Sequence, residues 1–341
     1  MSSRVQSMQA GASNKHASRR PTTAALAMAT LRTAMRLIAR LSPALAGRVM
    51  DRLWFRAPRT RPDAAAQASL ATARRDDFLL HGQRVATWTW GESGPCVLLM
   101  HGWGGHAGQL HAFVRPLLAA GFRVAAFDAP AHGASGASRH GQQRVTFFEF
   151  ADALRAVEAR VGPLAGIVAH SGGCSAVALA MRQGWRAPRS LVFVAPFCEP
   201  QAAIDGFARQ LGVGPAAVAR FTARAARWLG IDWRDLDIAT LPQDVHRGDL
   251  LILHDNADRE VPLAQSQRLA AAWPGARLIV TQGGGHRRLL SLPQVVQNAA
   301  LFLVERQAMP GPQRRYRPAD SRGELDRAFE ATANFWRRNR A

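Results

Sequence analysis

The chain has 341 residues, 48% hydrophobic and 20% charged, which is enough apolar material for a full core and excludes disorder throughout. Three scattered cysteines, Cys96, Cys174 and Cys198, exclude a disulfide scaffold and fit a reducing compartment, so a cytoplasmic location is expected. The net charge of +20 sits mainly at the start: residues 1–75 carry 14 basic and 2 acidic side chains, residues 76–304 carry 21 and 17, and residues 305–341 carry 9 and 5. A high charge confined to the ends does not describe a nucleic-acid groove, so no nucleic-acid partner is expected.

Residues 1–23 are polar and contain Ser and Arg, a composition that predicts disorder. Residues 24–56 predict two helices broken at Pro43. Leu31, Met35, Ile38 and Leu41 follow helical spacing, with Arg32, Arg36 and Arg40 on another face. Leu45, Val49 and Leu53 repeat the pattern against Arg48, Arg52 and Arg56. Arg32 and Arg36 interrupt "AALAMATL", which disfavours a signal peptide. The favoured reading is a helix pair packed on the back of the domain. The alternative is a weak contact with an anionic membrane, which would make the protein membrane-peripheral.

A domain is expected over 76–306, after a basic extension over 1–75 and before a tail over 307–341 that ends in a charged, helix-like piece. Strands are predicted at 84–90, 96–101, 122–128, 164–170, 190–196, 249–254 and 276–280. Helices are predicted at about 108–120, 143–161, 172–184, 262–273 and 291–306. Short apolar strands alternating with helices indicate a parallel sheet covered on both faces. The alternation fails once. Residues 197–248 predict two amphipathic helices with no strand, carrying Phe207, Leu211, Phe221 and Trp228. Insertions of this kind sit over the carboxyl edge of a sheet, where ligands bind.

Four loops carry chemistry. In "VAHSGGCSA" (168–176), Ser171 follows an apolar strand and precedes a helix of small residues. A serine on so tight a turn needs small residues two before and two after it, here Ala169 and Gly173. In "LLMHGWGGHAGQL" (98–110), glycines after a strand let backbone approach a ligand. Residues 102–107 also fit a dinucleotide fingerprint, with Asp128 ending the next strand. His101 before the first glycine and the second Gly-rich loop "APAHGASG" (129–136) weigh against that reading. In "LLILHDNADREVP" (250–262) carboxylates follow a late strand, and in "VTQGGGHRRLL" (280–290) His286 follows the last one. Serine, acid and histidine at three strand ends form the set a serine nucleophile requires: a base to take its proton and an acid to fix the base's tautomer. His101 and His132 are read as structural loop residues. His170 is expected to point away from the serine or line a pocket, and Cys174 to be core. No metal-ligand spacing is present, and no cofactor is expected.

On these motifs the chain resembles the α/β-hydrolase superfamily over about 76–306, and within it uncharacterised bacterial serine hydrolases of the carboxylesterase type. The resemblance implies a mostly parallel eight-stranded sheet with helical flanks and a helical lid. It implies Ser171 as nucleophile, His286 as base and Asp258 as its partner, with an oxyanion hole from the N–H groups of Trp103 and Gly172. Asp258 is preferred to Asp255 because the family's aspartate stands four residues before a proline, here Pro262, and Asp255→Asn is expected to cost little turnover. Glu199 is an outside candidate. Ala169 departs from the family's first elbow glycine. The expected substrate is a small carboxylic ester, bound by Trp103, Phe207, Phe221 and Trp228. A thioesterase or amidase, or a non-catalytic ligand-binding or membrane-peripheral protein on the same scaffold, is the alternative.

Overall fold

Eight strands form one sheet: β1 Arg74–Leu80, β2 Gln83–Trp90, β3 Cys96–Met100, β4 Arg123–Asp128, β5 Leu164–His170, β6 Ser190–Val194, β7 Asp249–Asp255 and β8 Arg277–Thr281. The computed structural model describes residues 23–308 except residue 243. The expectations for residues 1–22 and 309–341 lie outside that range. The strand order is β1-β2-β4-β3-β5-β6-β7-β8. β1 and β2 run antiparallel to their neighbours, and β3 to β8 are parallel. Every residue of β3 and β6 is buried, as apolar runs covered on both faces require. The chain moves outward from β3 to β4, then crosses back to β5. The carboxyl ends of β3 and β5 therefore flank the crevice where the strand order reverses.

The strand β1 was not anticipated. Its sequence is charged at its start, and only Phe78 and Leu80 are buried, which suits an edge strand and hides its periodicity. The helices are α1 Thr23–Leu41, α2 Pro43–Trp54, α3 Ala64–Ala71, α4 His111–Ala119, α5 Phe147–Val161, α6 Gly172–Arg182, α7 Pro200–Leu211, α8 Pro215–Leu229, α9 Leu263–Ala272, α10 Gly285–Arg288 and α11 Pro293–Ala308. Of these, α3 and the single turn α10 were also unanticipated; α3 is short, with alanine at five of its eight positions. Helix α5 starts four residues later than its periodicity indicates. Thr146 is its N-cap, and the Thr146 N–H donates to Glu149 Oε2 (3.2 Å).

The N-terminal helix pair is not on the back of the sheet. Met35, Ala46, Met50 and Phe55 share one buried core with α5 to α9. Ser42 caps α2 by accepting from the Leu45 N–H (3.2 Å), with Pro43 at the first helical position. Past α2 the chain pairs with the segment before α5: the Ala57 N–H donates to the Gln143 carbonyl (2.8 Å) and the Val145 N–H to the Phe55 carbonyl (3.0 Å). Asp51, buried on α2, reaches Arg144 at 2.9 Å and Arg224 of α8 at 3.6 Å. The arm is thus docked on the helical insertion, at the carboxyl edge of the sheet. Among the described residues no helix is long and apolar enough to cross a membrane.

Two buried histidines staple the loops after β3 and β4. His101 Nδ1–H donates to the Gly102 carbonyl (2.7 Å), and its Nε2 accepts from the Ala129 N–H (3.0 Å). His132 Nδ1–H donates to the Pro130 carbonyl (3.0 Å), and its Nε2 accepts from the Gly104 N–H (2.9 Å). Asp128 accepts from the Ala107 and Ala134 N–H groups, both at 2.6 Å. It faces inward to bind two loops, not outward to a ribose, which removes the dinucleotide reading. Burial holds His101 down at about 4 and His132 at about 3.

An acid-lability follows. Both rings fold neutral, whereas an unfolded histidine titrates near 6.5, so the stability they confer is complete above about pH 6.5. It is lost as pH falls toward 4, by on the order of 2 kcal/mol per ring at pH 5. Urea midpoints measured from pH 7.5 to 5 should fall accordingly, and less steeply in His132→Gln.

Candidate active site

Strand β5 ends at His170 and α6 begins at Gly172, so Ser171 occupies the turn between them. Its backbone is left-handed, φ 51° and ψ −120°, a strained conformation for a residue with a side chain. The Ser171 N–H donates to the Val194 carbonyl of β6 (3.0 Å), which fixes the turn to the sheet. Close approach explains the glycines. A Cβ on Gly173 would lie 2.6 Å from the His101 carbonyl oxygen, and one on Gly102 would lie 2.9 Å from Ser171 Cβ. Ala169, where the family pattern has glycine, fits fully buried inside β5.

His286 reaches this turn from the loop after β8. Its Nε2 is 3.0 Å from Ser171 Oγ and its Nδ1 is 2.7 Å from Asp258 Oδ2. These partners set the tautomer with the proton on Nδ1, donated to the carboxylate, and Nε2 free to accept from the serine hydroxyl. The Asp258 side chain is fully buried. Burial works against its ionisation, yet hydrogen bonds from His254, His286 and the Val261 N–H outweigh it and hold the carboxyl well below the usual carboxylate range. Asp258 is therefore an anion behind the imidazole near neutral pH.

Two neighbours position these groups, and sequence reasoning assigned neither. His254 lies on β7, its Nε2 3.4 Å from Asp258 Oδ2 and 3.1 Å from the Val261 carbonyl, with Nδ1 at 2.6 Å from the Ser266 hydroxyl. It braces the same carboxylate oxygen that His286 contacts. Asp255 accepts four hydrogen bonds: from the N–H groups of Gly284 (2.9 Å), Gly285 (2.9 Å) and Ala257 (3.0 Å), and from Thr281 Oγ1 (2.8 Å). It thereby holds the loop that presents His286. His170 donates from Nε2 to the His286 carbonyl (3.0 Å), and burial holds its pKa at about 3. It points away from the cavity and steadies the same loop. Glu199 lies apart, 3.8 Å from Arg268. Cys174 is buried core, its thiol raised well above its ordinary value by burial. Among the described residues no group of three or more His, Cys, Asp or Glu side chains is placed to hold a metal ion.

A cavity of about 330 Å³ opens on Ser171 and Gly172. Trp103 and Phe207 line it, as does Trp233. Phe221 and Trp228 do not. Phe221 is fully buried against Trp54 and Trp233, with ring centroids 5.8 Å from each. Trp228 packs edge-on to Phe55 at 4.9 Å beneath the Arg144 guanidinium. Leu211 is likewise packing. Part of the wall comes from an unexpected source, Leu53, Trp54, Phe55 and Arg56 of the N-terminal arm, in a lining that also includes Phe147 and Phe197. Periodicity reported that α2 has an apolar face but not which helix it meets. Trp103 N lies 3.5 Å from where a Gly172 Cβ would stand, so these two backbone N–H groups are neighbours at the cavity floor.

The two aspartates separate experimentally. Asp255→Asn would turn an amide NH₂ toward N–H donors in a buried site. A loss of on the order of 2 kcal/mol in stability is expected, a cost separate from the small effect on turnover that the sequence indicated. Thermal unfolding measures it.

The sequence profile of the alpha/beta hydrolase family matches residues 97–299, more than half of the chain. No curated protein matches it. Among solved structures the chain is similar to Est1E from Butyrivibrio proteoclasticus with ferulic acid bound: 19% identity, TM-score 0.53, over 69% of this chain and 100% of that one. It is similar to a bacterial membrane phospholipase A at 17% identity and TM-score 0.54, over 83% and 98% of the two chains. Alpha/beta hydrolase domain-containing protein 10 from mouse gives 14% identity and TM-score 0.54, over 68% and 98%. At these identities the likeness is one of fold.

Proposed function

The chain belongs to the alpha/beta hydrolase family, and from that premise we propose that it is a serine hydrolase acting on carboxylic esters with an apolar acyl group. The observation that carries the reading is the unbroken hydrogen-bonded line from Asp258 through His286 to Ser171 Oγ, ending at the floor of an apolar cavity. Ser171 Oγ attacks the ester carbonyl as its proton passes to His286 Nε2. Asp258, ionised at any working pH, stabilises the imidazolium and keeps its ring in register. The carbonyl oxygen becomes an oxyanion beside the N–H groups of Trp103 and Gly172. The Gly172 N–H has no acceptor within its own helix, because it opens α6, and the positive end of the helix dipole favours the charge. His286 then protonates the departing alcohol. Water, activated by the same nitrogen, attacks the acyl-enzyme and releases the acid.

Two groups of variants test this. Ser171→Ala and His286→Ala should each lower turnover of an aryl ester by roughly 10⁴-fold or more, with the fold retained, and Asp258→Asn by no more than that. A fluorophosphonate should label wild type at Ser171 and leave Ser171→Ala unlabelled. An unlabelled wild type would make this a binding protein on a hydrolase scaffold.

The cavity wall sets the second expectation. Truncating Phe207 or Trp54 to Ala enlarges the cavity, so the ranking of acyl chain lengths should shift toward longer esters through KM and kcat together. Phe221→Ala and Trp228→Ala should leave the ranking in place; the fully buried Phe221 should lower stability by about 3 kcal/mol or more, and the partly buried Trp228 by less.

A further inference from the structure

The arm has a second face. On α1, Met35 is buried, and Leu31, Ile38 and Ala39 lean on the core beside it. On the opposite side, Leu26, Leu37 and Leu41 fall on one stripe of the helix and are 62%, 58% and 79% exposed, and Leu45 of α2 continues it at 48%. Exposed arginines border the stripe: Arg32, Arg36 and Arg40 on α1, Arg48 and Arg52 on α2. Helix α1 contains no acidic residue, and the single acid of α2, Asp51, is buried against Arg144 and Arg224. The preceding residues 1–22 add four basic side chains and no acid. An uncovered leucine stripe edged by arginine and free of carboxylates is complementary to an apolar layer under an anionic surface. A second copy of the same cationic face would instead meet like charge. The other side of this arm, from Leu53 to Arg56, lines the cavity over Ser171.

We propose that the outer face of α1 and α2 docks on an anionic lipid surface and that the ester is drawn from that surface. The first part stands alone; the second rests on the hydrolase reading. Arg32 and Arg36 also lean over Gly212 at the end of α7, with a Gly212 Cβ coming 2.7 Å from the Arg36 guanidinium, so they are left intact in the test.

The full chain is sedimented with vesicles of phosphatidylglycerol and, separately, phosphatidylcholine. Binding to phosphatidylglycerol alone, lost as salt is raised, is expected. The Arg40→Gln, Arg48→Gln, Arg52→Gln triple variant should weaken it on the order of a hundredfold. Leu37→Ser with Leu41→Ser should weaken it independently. Neither variant touches the cavity, so both should keep wild-type thermal unfolding and wild-type turnover of a water-soluble aryl ester. Wild type should turn over a phosphatidylglycerol-borne ester faster than either variant. No binding, binding indifferent to salt, or binding unchanged in both variants would overturn the docking. So would a wild-type dimer in sedimentation velocity that the leucine variant dissolves while vesicles capture neither. Vesicle binding without aryl-ester turnover would remove the hydrolase reading and leave the docking; turnover equal in all three on the lipid ester would remove only the delivery.

Discussion

A serine held in a left-handed turn between a central strand and the helix that follows it is the constraint on which the rest of the molecule depends. The conformation costs on the order of 1–3 kcal/mol and persists only where the surroundings over-determine it. Here β5 lies between β3 and β6, the Ser171 N–H is tied to Val194, and the glycine loop after β3 presses against the turn. That loop is in turn pinned by His101 and His132, and the loop after β4 by Asp128. Three buried polar side chains thus fix two loops so that one hydroxyl can stand at the edge of the sheet.

The acid and the base are divided between structure and chemistry in the same way. Asp255 and Asp258 are three residues apart and both buried. One spends its lone pairs on the backbone of the histidine loop; the other keeps an oxygen for the imidazole. His254 and His170 complete the arrangement from behind, one against the carboxylate and one against the histidine's own carbonyl.

Much of this was legible before any coordinates. The apolar runs of β3 to β8 have no competing reading, and the order of serine, acid and histidine at successive strand ends places them on one edge whatever the details of packing. What the chain order could not convey is partnership between distant helices. The amphipathic pattern of α2 is equally compatible with a sheet face, a membrane or another helix, and only its meeting with α7 and α8 makes Leu53 to Arg56 part of the cavity. For the same reason Phe221 and Trp228 look like wall residues in sequence and are packing residues in space. β1 was missed because an edge strand need bury only one residue in three or four. Asp255 was undervalued because backbone N–H groups, its partners, leave no mark in a sequence.

The docking of the arm also bears on how the chain is made. Phe55 and Ala57 wait for partners near residue 143, with 87 positions separating Arg56 from Gln143, and α2 waits longer still for α8. During synthesis α2 emerges long before α8, the helix that completes its core. Contacts of such long range form slowly, and a helix with an uncovered apolar face is open to association in the interval. The row of arginines along that helix gives every nascent chain the same charge where it is stickiest, so that the side chains proposed to face a lipid surface also keep unfinished molecules apart.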